Sequence, residues 1–176
     1  MKKILRTCLI ISVFLVSSIV LAGNRPGAFS VRLADGYYFF ADKRDLKNTT
    51  VPTIEVGYDF NQRFAMKGGV GILNTHSTNT NTSNNVHGMV YTIDGIYRFN
   101  HDERLEPYFL AGIGVIGLKP NGANPVNQAN VNAGLGTQLF VTNSLAFDIE
   151  AKDLYTMSGG KNDVMLTVGI NFLIGG

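Results

Sequence analysis

Apolar and polar residues alternate with a period of two along most of the chain after Gly23. Between residues 128 and 141, for example, Val131 and Ala133 alternate with Asn130 and Asn132. Period two is typical of a β-strand that has one apolar face. No apolar pattern with the helical period of 3.6 continues for about ten residues anywhere in this part of the chain. The pattern therefore predicts an all-β fold.

Eight segments carry this alternation and are predicted to be strands. They are residues 29–40, 51–60, 64–74, 86–99, 107–118, 128–141, 145–155 and 163–174. The predicted short turns are 61–63, 100–104 and 142–144, and the predicted longer loops are 41–50, 75–85, 119–127 and 156–162. Alternating short and long connections are typical of an up-and-down barrel. The strands are also long enough for a tilted membrane crossing, which needs roughly nine to eleven residues. The predicted fold is an eight-stranded antiparallel up-and-down transmembrane β-barrel that closes by pairing its first strand with its last.

Aromatic residues indicate which face of the barrel meets lipid. Most of them share the apolar face and lie near strand ends, namely Phe29, Tyr37, Phe39, Tyr58, Phe60, Phe64, Tyr91, Tyr97, Phe99, Phe109, Phe147, Tyr155 and Phe172. Two belts at the heights of the lipid headgroups are typical of membrane barrels. The alternative is a soluble barrel of the lipocalin type, with the apolar face inside.

Charged strand residues fall almost entirely on the opposite face, which is predicted to line the lumen. The predicted lumen network is Arg32, Glu55, Asp59, Lys67, Asp94, Arg98, Asp148, Glu150 and Lys152, with Glu106 near the rim of the short turns. Buried charges are tolerable only when they are paired. We therefore expect Lys67 and Arg98 to reach acids among Glu55, Asp94, Asp148 and Glu150.

Two roles are open for this network. It could line a narrow slit that conducts ions, or it could fill the lumen as structural packing. Structural filling is favoured, because eight strands leave little more than room for side chains. The many glycines on the same face fit a crowded interior.

The first residues have the pattern of an export signal. Lys2, Lys3 and Arg6 precede an apolar run, and the small residue Ala22 ends it. Residues 1–22 are predicted to be a signal peptide cleaved between Ala22 and Gly23, which leaves 23–176 as one barrel domain. An uncleaved anchor is the alternative, but the apolar run is short for a membrane span.

Charge and cysteine content exclude several classes of function. The formal net charge of +2 comes from the basic signal, so the mature chain is close to neutral and has no basic stripe for nucleic acid. The single cysteine, Cys8, leaves with the signal, so neither disulfides nor thiol chemistry are expected.

Three segments resemble the β-barrel half of outer-membrane proteins of the OmpA/OprF type. Residues 106–114 read EPYFLAGIG, residues 147–153 read FDIEAKD and residues 162–172 read NDVMLTVGINF. The resemblance implies a barrel of the cell outer membrane whose lumen is plugged by salt bridges. It covers the barrel alone, so the cell-wall tethering of full-length relatives is not implied.

Catalytic and metal-binding chemistry finds weak support. His76, Ser77, Ser83 and His87 lie in or beside the second long loop, but that loop contains no acid to orient a histidine base. Two histidines without a third ligand fall short of a usual zinc site. We expect no catalytic residues, no metal and no cofactor.

The sequence thus favours a non-enzymatic integral outer-membrane barrel with a role in envelope integrity. Its polar loops, such as residues 78–85, are available for adhesion to or recognition of a host or phage surface. The first alternative is a narrow, low-conductance, porin-like channel, and the second is a barrel enzyme that modifies lipid A. Expected partners are outer-membrane lipid and lipopolysaccharide, and the expected state is a monomer.

Overall fold

A computed structural model describes residues 25–78, 85–99, 104–122 and 124–176 of the chain. The predicted signal peptide and its cleavage site lie outside the described residues, as does Ser83. The described strands are β1 (Phe29–Phe39), β2 (Thr49–Thr50), β3 (Thr53–Asp59), β4 (Phe64–His76), β5 (Asn85–Arg98), β6 (Leu105–Pro120), β7 (Val126–Thr142), β8 (Leu145–Thr156) and β9 (Lys161–Ile174).

The two short strands β2 and β3 form one strand of the barrel. Tyr37 pairs with Thr50 and Ala34 pairs with Thr53, so both strands keep a single register against β1. The break falls at Pro52, which has no N–H to donate to a neighbouring strand. The barrel is therefore built from eight antiparallel strands, as predicted.

The barrel closes through the pairing of β1 with β9. This pairing runs from Phe29 opposite Ile174 to Phe39 opposite Val164, and every other strand pairs with its neighbour in sequence. Closure leaves no row of unpaired backbone groups, each of which would cost several kcal/mol in hydrocarbon. The eight-stranded closed barrel predicted from the alternation is confirmed.

Several strands reach further than the sequence pattern predicted. β6 continues to Pro120 and β7 begins at Val126, while β8 ends at Thr156 and β9 begins at Lys161. The predicted loops 119–127 and 156–162 are therefore too long, because their polar residues continue the ladder pairing. The first loop contains a short 3-10 helix, Asp42–Arg44. In the described part of the chain, no helix is long and apolar enough to cross a membrane.

The outer face of the barrel is an exposed apolar surface. Phe29, Leu135 and Ile149 each leave about three fifths of their side chains exposed, and other outward positions of the strands carry similar residues. The aromatic residues predicted for this face are exposed or half-buried in every case. Such a surface would be an aggregation hazard in water and suits contact with lipid.

Candidate functional site: the filled lumen

All nine residues of the predicted lumen network lie inside the barrel, with exposed fractions of at most 7%. Alternation along each strand sends these side chains inward, because neighbouring residues point to opposite faces. On β8, for example, Asp148, Glu150 and Lys152 are buried while Ile149 and Ala151 are exposed. The strands therefore bring charges of both signs into one narrow interior.

The centre of the network links four strands. On β1, Arg32 places its Nε 2.6 Å from an Asp148 carboxylate oxygen on β8, and its Nη1 lies 3.0 Å from Glu55 on β3. On β4, the Lys67 ammonium lies 3.0 Å from the same Glu55 oxygen and also pairs with Glu150 on β8. Lys67 thus bridges two carboxylates across the lumen, as predicted for this lysine.

A second group of contacts joins Glu150 and Lys152 of β8 to β5 and β6. Lys152 on β8 lies 2.6 Å from Asp94 on β5 and 3.4 Å from Glu150. The Tyr108 hydroxyl on β6 donates a hydrogen bond of 2.8 Å to Glu150. Glu150 is therefore contacted by Lys67, Tyr108 and Lys152, which compensates for the cost of burying its charge.

Arg98 has partners other than those predicted. It lies 2.8 Å from Asp59 on β3 and 3.6 Å from Glu106 on β6. The expectation that Arg98 would reach Glu55, Asp94, Asp148 or Glu150 is wrong in this respect. Arg98 is the last residue of β5, so it lies at the turn-side end of the lumen, one level below the central group. A cavity of about 20 Å³, with room for about one water molecule, lies beside it.

Inward-facing glycines make room for the larger side chains of the lumen. A Cβ on Gly136 would lie 2.3 Å from the Tyr108 ring, and a Cβ on Gly69 would lie 2.6 Å from Cγ of Glu55. Both distances are far below van der Waals contact, so these side chains lie flat against glycine backbone. Glycine at these inward positions therefore leaves the space that the Tyr108 and Glu55 side chains occupy, as expected for a crowded interior.

An apolar layer fills the lumen on the loop side of the charges. Its buried members are Tyr38, Phe40, Val51, Leu73, Val90, Ile116, Leu154 and Met165. A smaller apolar cluster lies at the turn-side end and contains Ala28, Phe140, Ala146 and Leu173. The prediction of a charged and glycine-rich interior is thus incomplete, because buried apolar residues lie above and below the charges and, at Ala65, Ile96 and Leu110, beside them.

The first loop places a cation in the mouth of the barrel above the apolar layer. Arg44, in the 3-10 helix, lies 2.7 Å from Asp163 on β9 and donates hydrogen bonds of 2.7 Å to Gln128 and Thr156. Asp163 also accepts a hydrogen bond of 3.0 Å from the Tyr38 hydroxyl. Both members of this ion pair are buried. We call Arg44 and its partners Asp163, Gln128 and Thr156 the mouth latch.

The sequence reasoning missed both the apolar layer and the mouth latch. A signal for the layer exists, since alternation fails in the loop-side half of several strands. Leu73 follows Ile72, Val90 lies between Met89 and Tyr91, and Ile116 follows Val115. Apolar residues on both faces indicate an apolar lumen at that height. The latch has no such signal, because Arg44 comes from a loop.

His76 and His87 lie on the outer face, outside the lumen. The His87 Nδ1 lies 2.7 Å from the Asn74 side-chain oxygen, and His76 pairs with Asn85 in the strand register. Within the described ranges, no cluster of three or more His, Cys, Asp or Glu side chains could hold a metal ion. The His87 ring therefore has the Asn74 side-chain amide as a hydrogen-bond partner.

The closed barrel, its apolar outer face and its charged interior define the class of this protein as an integral membrane β-barrel. The chain belongs to the outer membrane protein beta-barrel domain family, whose model matches residues 8–172. It is therefore an outer-membrane barrel, in agreement with the resemblance stated above. Among curated proteins, no sequence matches this chain.

Solved structures share the fold at low sequence identity. The N-terminal barrel domain of Pseudomonas aeruginosa OprF is 18% identical with a TM-score of 0.65, over 85% of this chain and 98% of that one. Neisserial surface protein A is 15% identical with a TM-score of 0.66, over 83% and 98%. Yersinia pestis Ail, solved in complex with the heparin analogue sucrose octasulfate, is 16% identical with a TM-score of 0.55, over 85% and 100%. These likenesses concern the fold.

Proposed function

We propose that this protein is a non-conducting, non-enzymatic barrel that serves the integrity of the outer membrane. The observation that carries the proposal is the filling of the lumen at three heights. The charge network, the apolar layer and the mouth latch lie one above the other, and each joins residues from several strands. Cross-links of this kind stiffen a closed barrel and place side chains across the lumen at each of the three heights.

The channel alternative needs a continuous aqueous path through the charged lumen. The cations of the network, Arg32, Lys67, Arg98 and Lys152, each contact at least one carboxylate within 3 Å. Mobile ions would have to displace these partners, and each broken buried pair costs several kcal/mol. They would then meet the apolar layer, which solvates no charge.

The enzyme alternative would require a nucleophile and a base close together at the lipid-facing rim. His87 lies on the outer face, but its ring contacts the Asn74 amide, which cannot act as the acidic orienter of a base. The proposal therefore assigns no catalytic residue to this chain.

A second candidate function is recognition of an anionic ligand at the loop-side mouth. A pocket of about 200 Å³ there is lined by Lys43, Arg44 and Lys161 above an apolar floor that includes Leu118. The Ail structure contains a sulfated sugar analogue, which makes a sulfated sugar a reasonable first probe. The test is binding of sucrose octasulfate to the wild type and to Lys43→Gln/Lys161→Gln.

Planar-bilayer recording tests the closed lumen. We expect the purified wild type to insert without discrete conductance steps. The double variant Tyr38→Ala/Leu154→Ala thins the apolar layer and should remain closed at the charge network. A triple variant that also carries Lys67→Met should show steps. Regular steps in the wild type, absent from a sample unfolded before addition, would instead support the channel alternative.

A deletion strain tests the role in the membrane. Loss of the protein should raise uptake of a large apolar dye or antibiotic, and expression of the wild type should restore the barrier. Unchanged uptake together with an altered lipid A mass profile would favour the enzyme alternative.

A further inference from the structure

A groove of about 460 Å³ opens on the outer face of the barrel, toward the loops. Its walls come from the loop-side ends of β4, β5, β6 and β7. Most of its lining side chains lie on the outer face of the barrel, and Leu118 also lines the pocket at the mouth.

The groove crosses the level at which the outer face changes from apolar to polar. Two adjacent rows of outward residues on β4, β5 and β6 mark this level. The apolar row is Ile72, Met89 and Gly117, and the polar row above it is Asn74, His87 and Lys119. Each row is a set of partners in the strand register, so the change occurs at corresponding positions on three neighbouring strands. A change of this kind is expected where the hydrocarbon of a membrane meets the lipid headgroups.

The floor of the groove lies where a side chain is missing from the apolar row. Gly117 stands between Met89 and Asn127 in the register. A Cβ on Gly117 would lie 2.8 Å from Oδ1 of Asn127, which shows how closely that side chain covers the glycine. Below, Met89 and Tyr91 are about half exposed and are joined by a contact of 3.0 Å from the Tyr91 hydroxyl to the Met89 sulfur. The lower half of the groove is therefore apolar on the β4 and β5 side, with the Asn127 amide at its β7 edge.

The upper half of the groove is polar and carries positive charge. The exposed Lys119 lies opposite His87, and the His87 ring is held by the Asn74 amide at 2.7 Å. No acid is found among the described residues that line the groove. An apolar floor below an ammonium group is complementary to a lipid whose headgroup carries an anionic phosphate.

We propose that this groove binds an anionic membrane lipid. The headgroup phosphate contacts Lys119 and the His87 side chain, and the upper part of one acyl chain lies against Ile72 and Met89 and reaches over Gly117. The inference rests on the placement of the outer face in lipid, and it is independent of whether the lumen conducts.

Native mass spectrometry of the full chain in detergent tests the proposal. The probes are phosphatidic acid and phosphatidylcholine with the same acyl chains, each titrated onto the folded barrel. The wild type should retain phosphatidic acid more strongly than phosphatidylcholine. Lys119→Gln should weaken retention of phosphatidic acid by roughly fivefold, as expected for the loss of one cation at a lipid surface, and Lys119→Arg should restore it.

Two further variants separate the headgroup contact from the groove. Lys47→Gln removes an exposed lysine of the first loop and should leave retention unchanged. Gly117→Val fills the floor and should weaken retention of both lipids, while a heat-dependent gel shift verifies that each variant is folded. Equal retention of the two lipids by the wild type, or equal loss in Lys119→Gln and Lys47→Gln, would overturn the proposal. Wild-type retention by folded Gly117→Val would rule out the groove as the site.

Discussion

Lys67 of β4 and Glu150 of β8 form an ion pair across the full width of the barrel. The two strands are four places apart around the eight-stranded circle, so they lie on opposite walls. Lys67 also contacts Glu55 on β3 at 3.0 Å, and Glu150 also contacts Lys152 at 3.4 Å. This pair therefore connects the charges of the two walls into one network.

The central network contains more acids than bases. Arg32, Lys67 and Lys152 face Glu55, Asp94, Asp148 and Glu150. Removing a base therefore leaves the group with two negative charges in excess, whereas removing one acid brings the group to neutrality. The cost of a substitution should depend on the sign of the charge that it removes.

Lys67→Met should consequently destabilise the barrel more than Glu150→Gln. Loss of Lys67 leaves Glu55 and Glu150 without the cation that they share, at a cost of about 3–5 kcal/mol, as is typical of a broken buried pair. Glu150→Gln should cost less and keeps an acceptor for the Tyr108 hydroxyl. Urea unfolding in detergent measures both, with Lys47→Ala as a surface control expected within about 0.5 kcal/mol of the wild type. The opposite order would show that the excess negative charge is neutralised by other means.

Gly136→Ala should destabilise the barrel through a steric clash. The added methyl group would lie 2.3 Å from the Tyr108 ring, which is buried and donates a hydrogen bond to Glu150. We expect a loss of about 1–3 kcal/mol, the usual cost of overpacking. The matched control is Gly68→Ala, whose methyl group would face outward with its nearest contact at 3.8 Å. That control should be neutral or stabilising, since glycine weakens strands, and a similar loss in both variants would point to backbone effects.

The strands and the assignment of their faces could be predicted from the sequence, because both depend on local alternation. Lys67 lies inside and Leu135 outside, as their parity requires. The ion-pair partners could be predicted only in part. Partners on distant strands depend on strand tilt and on the stagger of the whole barrel, which no single strand encodes. Lys67 contacts Glu150, one of its predicted acids. Arg98, at the end of β5, lies closer to the turn side of the barrel and contacts Asp59 instead.

The mouth latch lay beyond sequence reasoning for a different reason. Periodicity orients side chains within strands, but it does not fix the path of a loop. Arg44 reads as a solvated loop charge, and only the folding of residues 40–48 over the mouth brings it to Asp163. The lone inward acid of β9, Asp163 near the start of the strand, is a weak hint that a cation must come from elsewhere.

The exposed apolar outer face is expected to contact lipid. Leu135→Arg places a charge at an exposed position near the middle of β7 and should cost about 2–4 kcal/mol if the site lies near the bilayer midplane. A spin label at Leu135 should be quenched by a lipid-phase reagent, while a label at the buried Asn132 should be shielded. The reverse accessibility would indicate a soluble barrel with its apolar face inside.

The last prediction concerns the mouth latch. It tests whether the ordering of the first loop and the closure of the lumen depend on different residues. Arg44→Lys should loosen residues 40–48, because a single ammonium cannot reproduce the guanidinium contacts to Asp163, Gln128 and Thr156. Asp163→Asn should have a similar effect, since it removes the charge that holds Arg44 and weakens the acceptor of the Tyr38 hydroxyl.

A spin label at Lys47, which is exposed, measures this loosening, and Lys43→Gln serves as a nearby control that keeps the latch. We expect greater label mobility in Arg44→Lys and Asp163→Asn and wild-type mobility in Lys43→Gln. Conductance in planar bilayers should stay absent in all three variants, because the apolar layer and the charge network lie below the mouth and do not need the latch. Ion flow in Arg44→Lys with unchanged label mobility would show that the latch itself is the barrier, and that the deeper layers leave a path.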